Sequence, residues 1–309
     1  MPKAESAGPA LVRRRVLAWY GRHRRELEWR TTTDPYAIIV SEVMLQQTQV
    51  RRVQAKLPEF LRRYPTLARL ARAGNADVIR AWRGMGYNNR AIRLRDMART
   101  IIAEHGGRIP RDVETLMSLP GVGRYTAHAV LCFAYRRRVP VVDVNIRRVL
   151  GRVFTPQRTL DGTIGERDAW ELAAAIMPRD CFDWTQALMD LGATICTARK
   201  PACARCPVAA QCASAHALSS ARPAARPPRS DEPRHAGVPQ RIWRGKAVEA
   251  LRSLDGASSI TIEELGAIVK PGFHPEERTW LLGIIEKLAL DGIVAKRRRG
   301  SSVRVRLAS

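Results

Sequence analysis

From Leu11 to about Ala213, apolar positions recur every three to four residues with polar positions between them, a period that predicts amphipathic helices packed on one another. Segments such as "HGGRIP" and "LPGVG" break the period with glycine and proline and predict the turns. Residues 214–240, "SAHALSSARPAARPPRSDEPRHAGVPQ", hold almost no large apolar side chain and predict a linker. The helical period then returns in "WRGKAVEALRSL", "TIEELGAIV" and "EERTWLLGIIEKLALDG". The tail alternates Val303, Val305 and Leu307 against Arg304 and Arg306, the pattern of a two-stranded ribbon with a basic turn. Three helices and a ribbon predict a winged helix-turn-helix, and a helical cap packed on the main body fits the same pattern. No repeat of fixed period is present.

Composition adds a partner to this helical picture. A chain of 309 residues supports two or three domains. Lys plus Arg outnumber Asp plus Glu by 53 to 29, a net charge of +24, which points to a polyanion and first of all to nucleic acid. Only seven of those basic residues are lysine, a bias that high genomic GC content also produces. No apolar run approaches the ~18 residues of a membrane span, and "MPKAESAGPA" lacks the apolar segment of a secretory signal. A soluble protein of the cytoplasm is expected.

"SLPGVGRYTAHAV" sets Gly121 and Gly123 between two apolar helical runs, a helix-hairpin-helix. Glycines there let the chain turn sharply and bring N–H groups to the start of the next helix, where the dipole favours a phosphate. Arg124 follows directly. An αα-corner also uses glycine for steric reasons alone. Four cysteines, Cys196, Cys203, Cys206 and Cys212, stand in the spacing C-x6-C-x2-C-x5-C. Structural zinc usually shows two paired CxxC knuckles, whereas one CxxC flanked by singles favours a 4Fe-4S cluster. Cys132 and Cys181 lack ligand-like spacing and are expected in the core.

Two carboxylates attract attention. "DPYAIIVSEVMLQQTQV" begins with Asp34 as N-cap and Pro35 at the first helical position. Glu42 follows beside Ile38, Ile39, Leu45 and Gln46, partly apolar surroundings that favour the proton-donating form of a carboxyl. A solvated margin of the helix is the alternative. In "VPVVDVNIRRVLGR", Asp143 or Asn145 caps the helix that follows, and a carboxylate at such an N-terminus stays ionised.

The ordered motifs "SEVMLQQTQV", "GMGYNNRA", "LPGVGRYTA", "VVDVNIRRVLGR" and "LMDLGATICTARKPACARCP" resemble the helix-hairpin-helix DNA glycosylases, and most closely their adenine-specific branch. The resemblance covers about Leu11 to Cys212. It implies an all-α, two-lobed helix-hairpin-helix glycosylase fold with a 4Fe-4S cluster loop, joined to the small winged-helix-like C-terminal unit. The implied divisions are an N-terminal helix at 1–30 that joins the cluster lobe and a six-helix lobe with the hairpin at 31–137. A cluster lobe at 138–213, the linker at 214–240 and the winged unit at 241–309 complete them.

The implied activity is base-excision repair: an adenine mispaired with guanine or 8-oxoguanine is flipped from double-stranded DNA and its N-glycosidic bond hydrolysed. By the same resemblance Glu42 protonates the base, Asp143 stabilises the oxocarbenium-like sugar, and Asn145 and Arg30 stand near the pocket. Most members carry proline where Glu28 stands. Gln47 and Tyr87 match residues inserted into the base stack; Gly121, Gly123 and Arg124 contact the DNA backbone. Glycosylases that also cut the strand place a lysine at the position of Tyr125 to form a Schiff base. Tyrosine here, and no lysine between Lys56 and Lys200, imply a monofunctional enzyme with Tyr125 against the catalytic carboxylates. The cluster is expected to be structural and to present Arg199 and Lys200 to the backbone, and the C-terminal unit to add phosphate contacts through Lys296, Arg297, Arg298 and Arg299. A monomer is expected. The nearest rival is a thymine or uracil glycosylase acting on G:T or G:U mismatches; "LQQTQ" at Leu45 to Gln49 fits the adenine enzymes better. Residues 241–309 are too short and too helical for the Nudix-like domain found in many adenine enzymes.

Overall fold

The computed structural model describes residues 8–160, 162–219, 221, 232–254 and 258–309. Much of the expected linker, at 220 and 222–231, lies outside the described residues. The described helices of the main body are α1 (Pro9–His23), α2 (Pro35–Leu45), α3 (Val50–Arg63), α4 (Leu67–Ala71), α5 (Asn75–Ala81), α6 (Asn89–Glu104), α7 (Val113–Ser118) and α8 (Arg124–Phe133). They continue as α9 (Val144–Phe154), α10 (Glu166–Ile176), α11 (Phe182–Thr194) and α12 (Ala215–Ser219). The C-terminal unit holds α13 (Gln240–Arg252), α14 (Ile262–Val269) and α15 (Arg278–Leu290). No described helix is long and apolar enough to cross a membrane.

Two compact units form. The first gathers the described parts of Met1–Ile39, Arg111–Ser118 and Val122–Pro227. Its core comes from the apolar stripes of α1, α9, α10 and α11, with Val16, Ile146, Leu150, Trp184 and Leu191 among its buried members. α9 and α11 approach closely at Gly192, where an added Cβ would stand 2.8 Å from the Cβ of Asn145.

The second unit gathers Val40–Pro110, Leu119–Gly121 and the described part of Pro228–Ser309. Here the strands β1 (Arg234–His235) and β2 (Val238–Pro239) form a short hairpin inside the range expected to be linker. β3 (Ile260–Thr261), β4 (Val294–Arg299) and β5 (Ser302–Leu307) form an antiparallel sheet in the order β3-β5-β4. Three helices and this ribbon make the winged-helix-like unit, and it is also packed on α5 and α6. Ile79 of α5 and Ile92 of α6 are buried in one apolar cluster with Trp243, Val248, Ile284 and Leu288. Polar bonds follow the same seam: Asn75 Nδ2 donates to the Gly292 carbonyl at 2.7 Å, and Arg252 Nη2 to Asn88 Oδ1 at 2.7 Å. Within the unit His235 stacks on Trp280 at 3.7 Å, while Glu277 accepts from Lys270 at 2.8 Å and pairs with His235 at 2.6 Å.

Candidate active site and cluster loop

The second unit carries Glu42, Gln47, Tyr87 and Gly121. Asp34 starts α2 by accepting from the N–H groups of Tyr36 and Ala37, and Glu42 follows two turns on, 4 % exposed. Just past α2, Gln47 adopts φ 52°, and in the loop before α6 Tyr87 adopts φ 44°. Positive φ in residues with a Cβ is strained and survives only where surroundings impose it. One side chain braces both turns. Buried Arg90 donates Nη1 to the carbonyls of Val43 (2.7 Å) and Gln46 (2.6 Å), and Nη2 to Thr48 Oγ1 (3.0 Å) and the Met85 carbonyl (3.0 Å). Burial lowers its pKa to about 10, so it remains a cation at neutral pH. Tyr87 is 55 % exposed. A Cβ on Gly121, φ 78°, would stand 3.0 Å from that of Arg93, so glycine is required both for conformation and for space.

The first unit carries the rest. Gly123 is the N-cap of α8, with no side chain capping it, and is exposed together with Arg124. The Arg124 guanidinium lies over the Trp170 ring at 4.0 Å, and His128 packs on the same indole at 4.7 Å. Tyr125 is half-buried one residue further on.

Asp143 is the N-cap of α9: its Oδ1 accepts from the Ile146 N–H at 2.6 Å and its Oδ2 from Asn145 Nδ2 at 2.9 Å. Asn145 Oδ1 in turn accepts from Arg148 Nη2 at 2.8 Å, and Arg148 also donates to the carbonyls of Gly192 (2.7 Å) and Cys196 (2.9 Å). Arg30, expected near the pocket and among the DNA-binding residues, is tied to α11. Instead of offering a free cation to DNA, it is turned inward, with Nη1 and Nη2 on the two oxygens of fully buried Asp190 at 2.9 and 2.8 Å. Burial would raise the Asp190 carboxyl, but hydrogen bonds and charge from Arg30 and Arg25 hold it below its ordinary value. Arg30 thereby fixes α11.

Cys196, Cys203, Cys206 and Cys212 line one pocket together with Leu191 and Ile195. Four thiols around one pocket are a donor set suited to an iron-sulfur centre. Burial pushes the Cys203 and Cys212 thiols up and Cys206 to about 12, so forming thiolates there calls for a compensating cationic core. The donor set fits a 4Fe-4S cluster. Arg152, 1 % exposed, orders the loop by donating to the carbonyls of Thr197 (2.8 Å), Ala198 (2.9 Å) and Leu160 (2.8 Å). Arg199 and Lys200 are exposed at its edge. Cys132 and Cys181 are buried, with sulfurs 3.3 Å apart, away from the loop's cavity.

Sequence reasoning missed Arg90, Arg148 and Arg152 as organisers. The available signal was spacing: Asn145, Arg148 and Arg152 stand at i, i+3 and i+7, a stripe beside the one that carries Ile146, Val149 and Val153 into the core.

Comparison with known proteins adds family to geometry. Residues 40–174 match the model of the HhH-GPD superfamily base excision DNA repair protein, and residues 196–212 that of the iron-sulfur binding domain of endonuclease III. The chain is 42 % identical over 262 residues to an adenine DNA glycosylase of Mycobacterium tuberculosis, covering 82 % of this chain and 83 % of the relative. It is 39 % identical over 282 residues to that of Mycolicibacterium smegmatis, covering 90 % and 91 %. Among solved structures it resembles a thermostable thymine-DNA glycosylase with a TM-score of 0.63 and 31 % identity, covering 67 % of this chain and 96 % of that one.

Proposed function

Because the chain belongs to the adenine DNA glycosylase family of helix-hairpin-helix base-excision repair proteins, we propose that it hydrolyses the N-glycosidic bond of adenine mispaired with guanine or 8-oxoguanine. The observation that carries the chemistry is Asp143, a carboxylate fixed at a helix N-terminus by two hydrogen bonds and followed through Asn145 and Arg148 by a chain of braced polar groups. The adenine assignment is supported by a likeness to adenine enzymes that runs through 82–90 % of the chain, beyond the two thirds shared with the thymine enzyme.

In this reading the duplex is held through Gly121, Gly123 and Arg124, and Gln47 and Tyr87 fill the stack when the adenine leaves it. The Glu42 carboxyl donates its proton to N7 of the base, which turns adenine into a better leaving group. As the bond to the sugar lengthens, the Asp143 carboxylate stabilises the positive charge that develops, and Asn145 keeps that carboxylate aimed. Water adds to the sugar carbon, leaving free adenine and an abasic site. Tyr125 stands where a strand-cutting relative carries lysine; a phenol forms no Schiff base, so the backbone stays intact. Cys196, Cys203, Cys206 and Cys212 hold the 4Fe-4S cluster, whose contribution when bound is to cross-link the loop that carries Arg199 and Lys200. The working place is the cytoplasm, at the nucleoid, as a monomer on double-stranded DNA.

The test is incubation with duplexes bearing G:A, 8-oxoG:A, G:T and G:U, with and without alkali, repeated with Asp143→Asn. Loss of adenine alone, strand breaks only after alkali, and an inactive Asp143→Asn protein are expected. Excision of thymine or uracil would transfer the reading to the thymine-type enzymes, and breaks without alkali would refute the monofunctional step.

A further inference from the structure

The C-terminal ribbon carries six Lys or Arg residues between 294 and 307 and no Asp or Glu. Its register separates them into two groups. Residues directly opposite in an antiparallel pair share a face, and successive residues alternate. Lys296 opposes Val305, and Arg298 opposes Val303, both valines being buried, so these two bases lie on the core side of the ribbon. Lys296 is paired with Glu286 of α15 at 3.1 Å, and Arg298 Nε donates to the Gly300 carbonyl at 3.0 Å.

The other face is different. Arg297 opposes Arg304, Ala295 opposes Arg306 and Arg299 opposes Ser302, which brings four arginines onto the outward side. Arg297, Arg299 and Arg304 are exposed and Arg306 half-buried. Arg304 is braced by Ser259, while no hydrogen bond or ion pair ties down Arg297, Arg299 or Arg306 among the described residues. Like charges directly opposite on a ribbon destabilise it. A face built this way gains most when an extended polyanion lies across it.

We propose that this outward face, Arg297, Arg299, Arg304 and Arg306, is a second binding site for the phosphate backbone of duplex DNA, distinct from the hairpin. The proposal rests on the reading of the chain as a DNA glycosylase and departs from the expectation that Lys296 and Arg298 share the task. The site grips without reading bases. The helix preceding the ribbon, which a sequence reader of this class places in the major groove, exposes Thr279, Glu286, Lys287 and Leu290, the last at 89 %. Glu286 is taken up by Lys296 at 3.1 Å and a bare leucine offers no hydrogen bond to a base edge, while Lys287 is a point charge suited to a phosphate. The packing of this unit on α5 and α6 through Ile79 and Ile92 fixes the arginine face to the lobe that carries Gln47 and Tyr87. The ribbon therefore sets where along the duplex those two residues fall.

The experiment measures full-length, cluster-loaded protein by fluorescence anisotropy on matched and G:A duplexes over a series of salt concentrations. For Arg297→Gln/Arg299→Gln/Arg304→Gln/Arg306→Gln, the slope of log affinity against log salt should shrink by about two to four units, ~0.9 per lost phosphate contact. Affinity should fall by the same factor on both duplexes. Lys296→Gln/Arg298→Gln removes half as many charges and should leave the slope in place. If the fourfold change disturbs folding, Arg297→Gln/Arg299→Gln alters only untied exposed side chains and should still reduce the slope by one to two units. A slope unchanged in both arginine variants would overturn the site, as would a loss in the Lys296/Arg298 pair equal to that in the Arg297/Arg299 pair. Failure of the parent protein to excise any base would strike the glycosylase reading instead, while a slope difference would still show that the ribbon binds DNA.

Discussion

The cluster loop and the C-terminal unit are both small regions that shape basic surface, and they reach order by opposite routes. Between Cys196 and Cys212 there are only two single 3-10 turns, and Val208 is the one described side chain there that is fully buried. The loop is instead tied to α9 by arginine bonds to its carbonyls and, when loaded, by the cluster. The C-terminal unit makes its own interior from Trp243, Leu265, Ile284, Leu288 and Val305. A segment too short to bury apolar surface must import its order from a ligand; one of some seventy residues can generate it, given a neighbour that completes its core.

The contrast can be broken most directly at the ligands. Cys203→Ser should abolish the visible absorbance of the cluster and weaken DNA binding by roughly tenfold or more, as loss of a metal-site group does elsewhere. The tryptophan emission of the C-terminal unit should not move. Full affinity in a cluster-free protein would mean that the loop is ordered without its ligand.

A pair of core substitutions sharpens the same point. Arg152→Met strands three carbonyls, that of Leu160 buried, and should cost about 1–3 kcal/mol, with the cluster lost early in a thermal melt. Ile284→Ala, at a site with no exposure, should cost about 2–5 kcal/mol while the cluster absorbance persists until the first unit melts. Simultaneous loss of both signals in either variant would show that the two regions unfold as one.

The smallest effects concern pH, and they run in opposite directions. In cluster-free protein Cys206 is held as a thiol, its pKa raised from 9.0 to about 12 by burial. A raised folded value stabilises below the unfolded one, so stability is present below about pH 9 and lost on rising toward 12. Glu277 is lowered from 4.5 to about 2, first by Lys270, then by the His274 N–H and His235. Its contribution is present above about pH 4.5 and lost as pH falls toward 2. Thermal melts of apo protein up the alkaline limb, and Trp280 fluorescence down the acid limb, should therefore respond separately. A C-terminal unit that loosens in alkali before acid would contradict the assignment.

Much of this organisation was legible in the chain. The helical period, the glycine hairpin, the cysteine spacing, Asp143 as an N-cap and the three helices before the ribbon are local signals, and each appears where its residues predict. What was hidden is the direction of arginine. In a chain of net charge +24, Arg30, Arg90, Arg148 and Arg152 look like surface bases, yet they point inward because Asp190 or distant carbonyls await them. Those acceptors lie up to 160 residues away, and no window along the sequence contains both ends. The ribbon was anticipated, but treating 296–299 as one basic turn concealed the register that separates Lys296 and Arg298 from the outward arginines.

Ile79 of α5 and Ile92 of α6 finish their burial inside the C-terminal unit. Cutting the chain before that unit would thus uncover an oily patch on the part left behind, and the truncated protein should stick to itself or to chaperones. Transplanting the unit onto a relative would meet the mirror-image obstacle, since the acceptor surface must supply matching side chains. The two pieces can be exchanged in evolution only together, as a lock travels with its key.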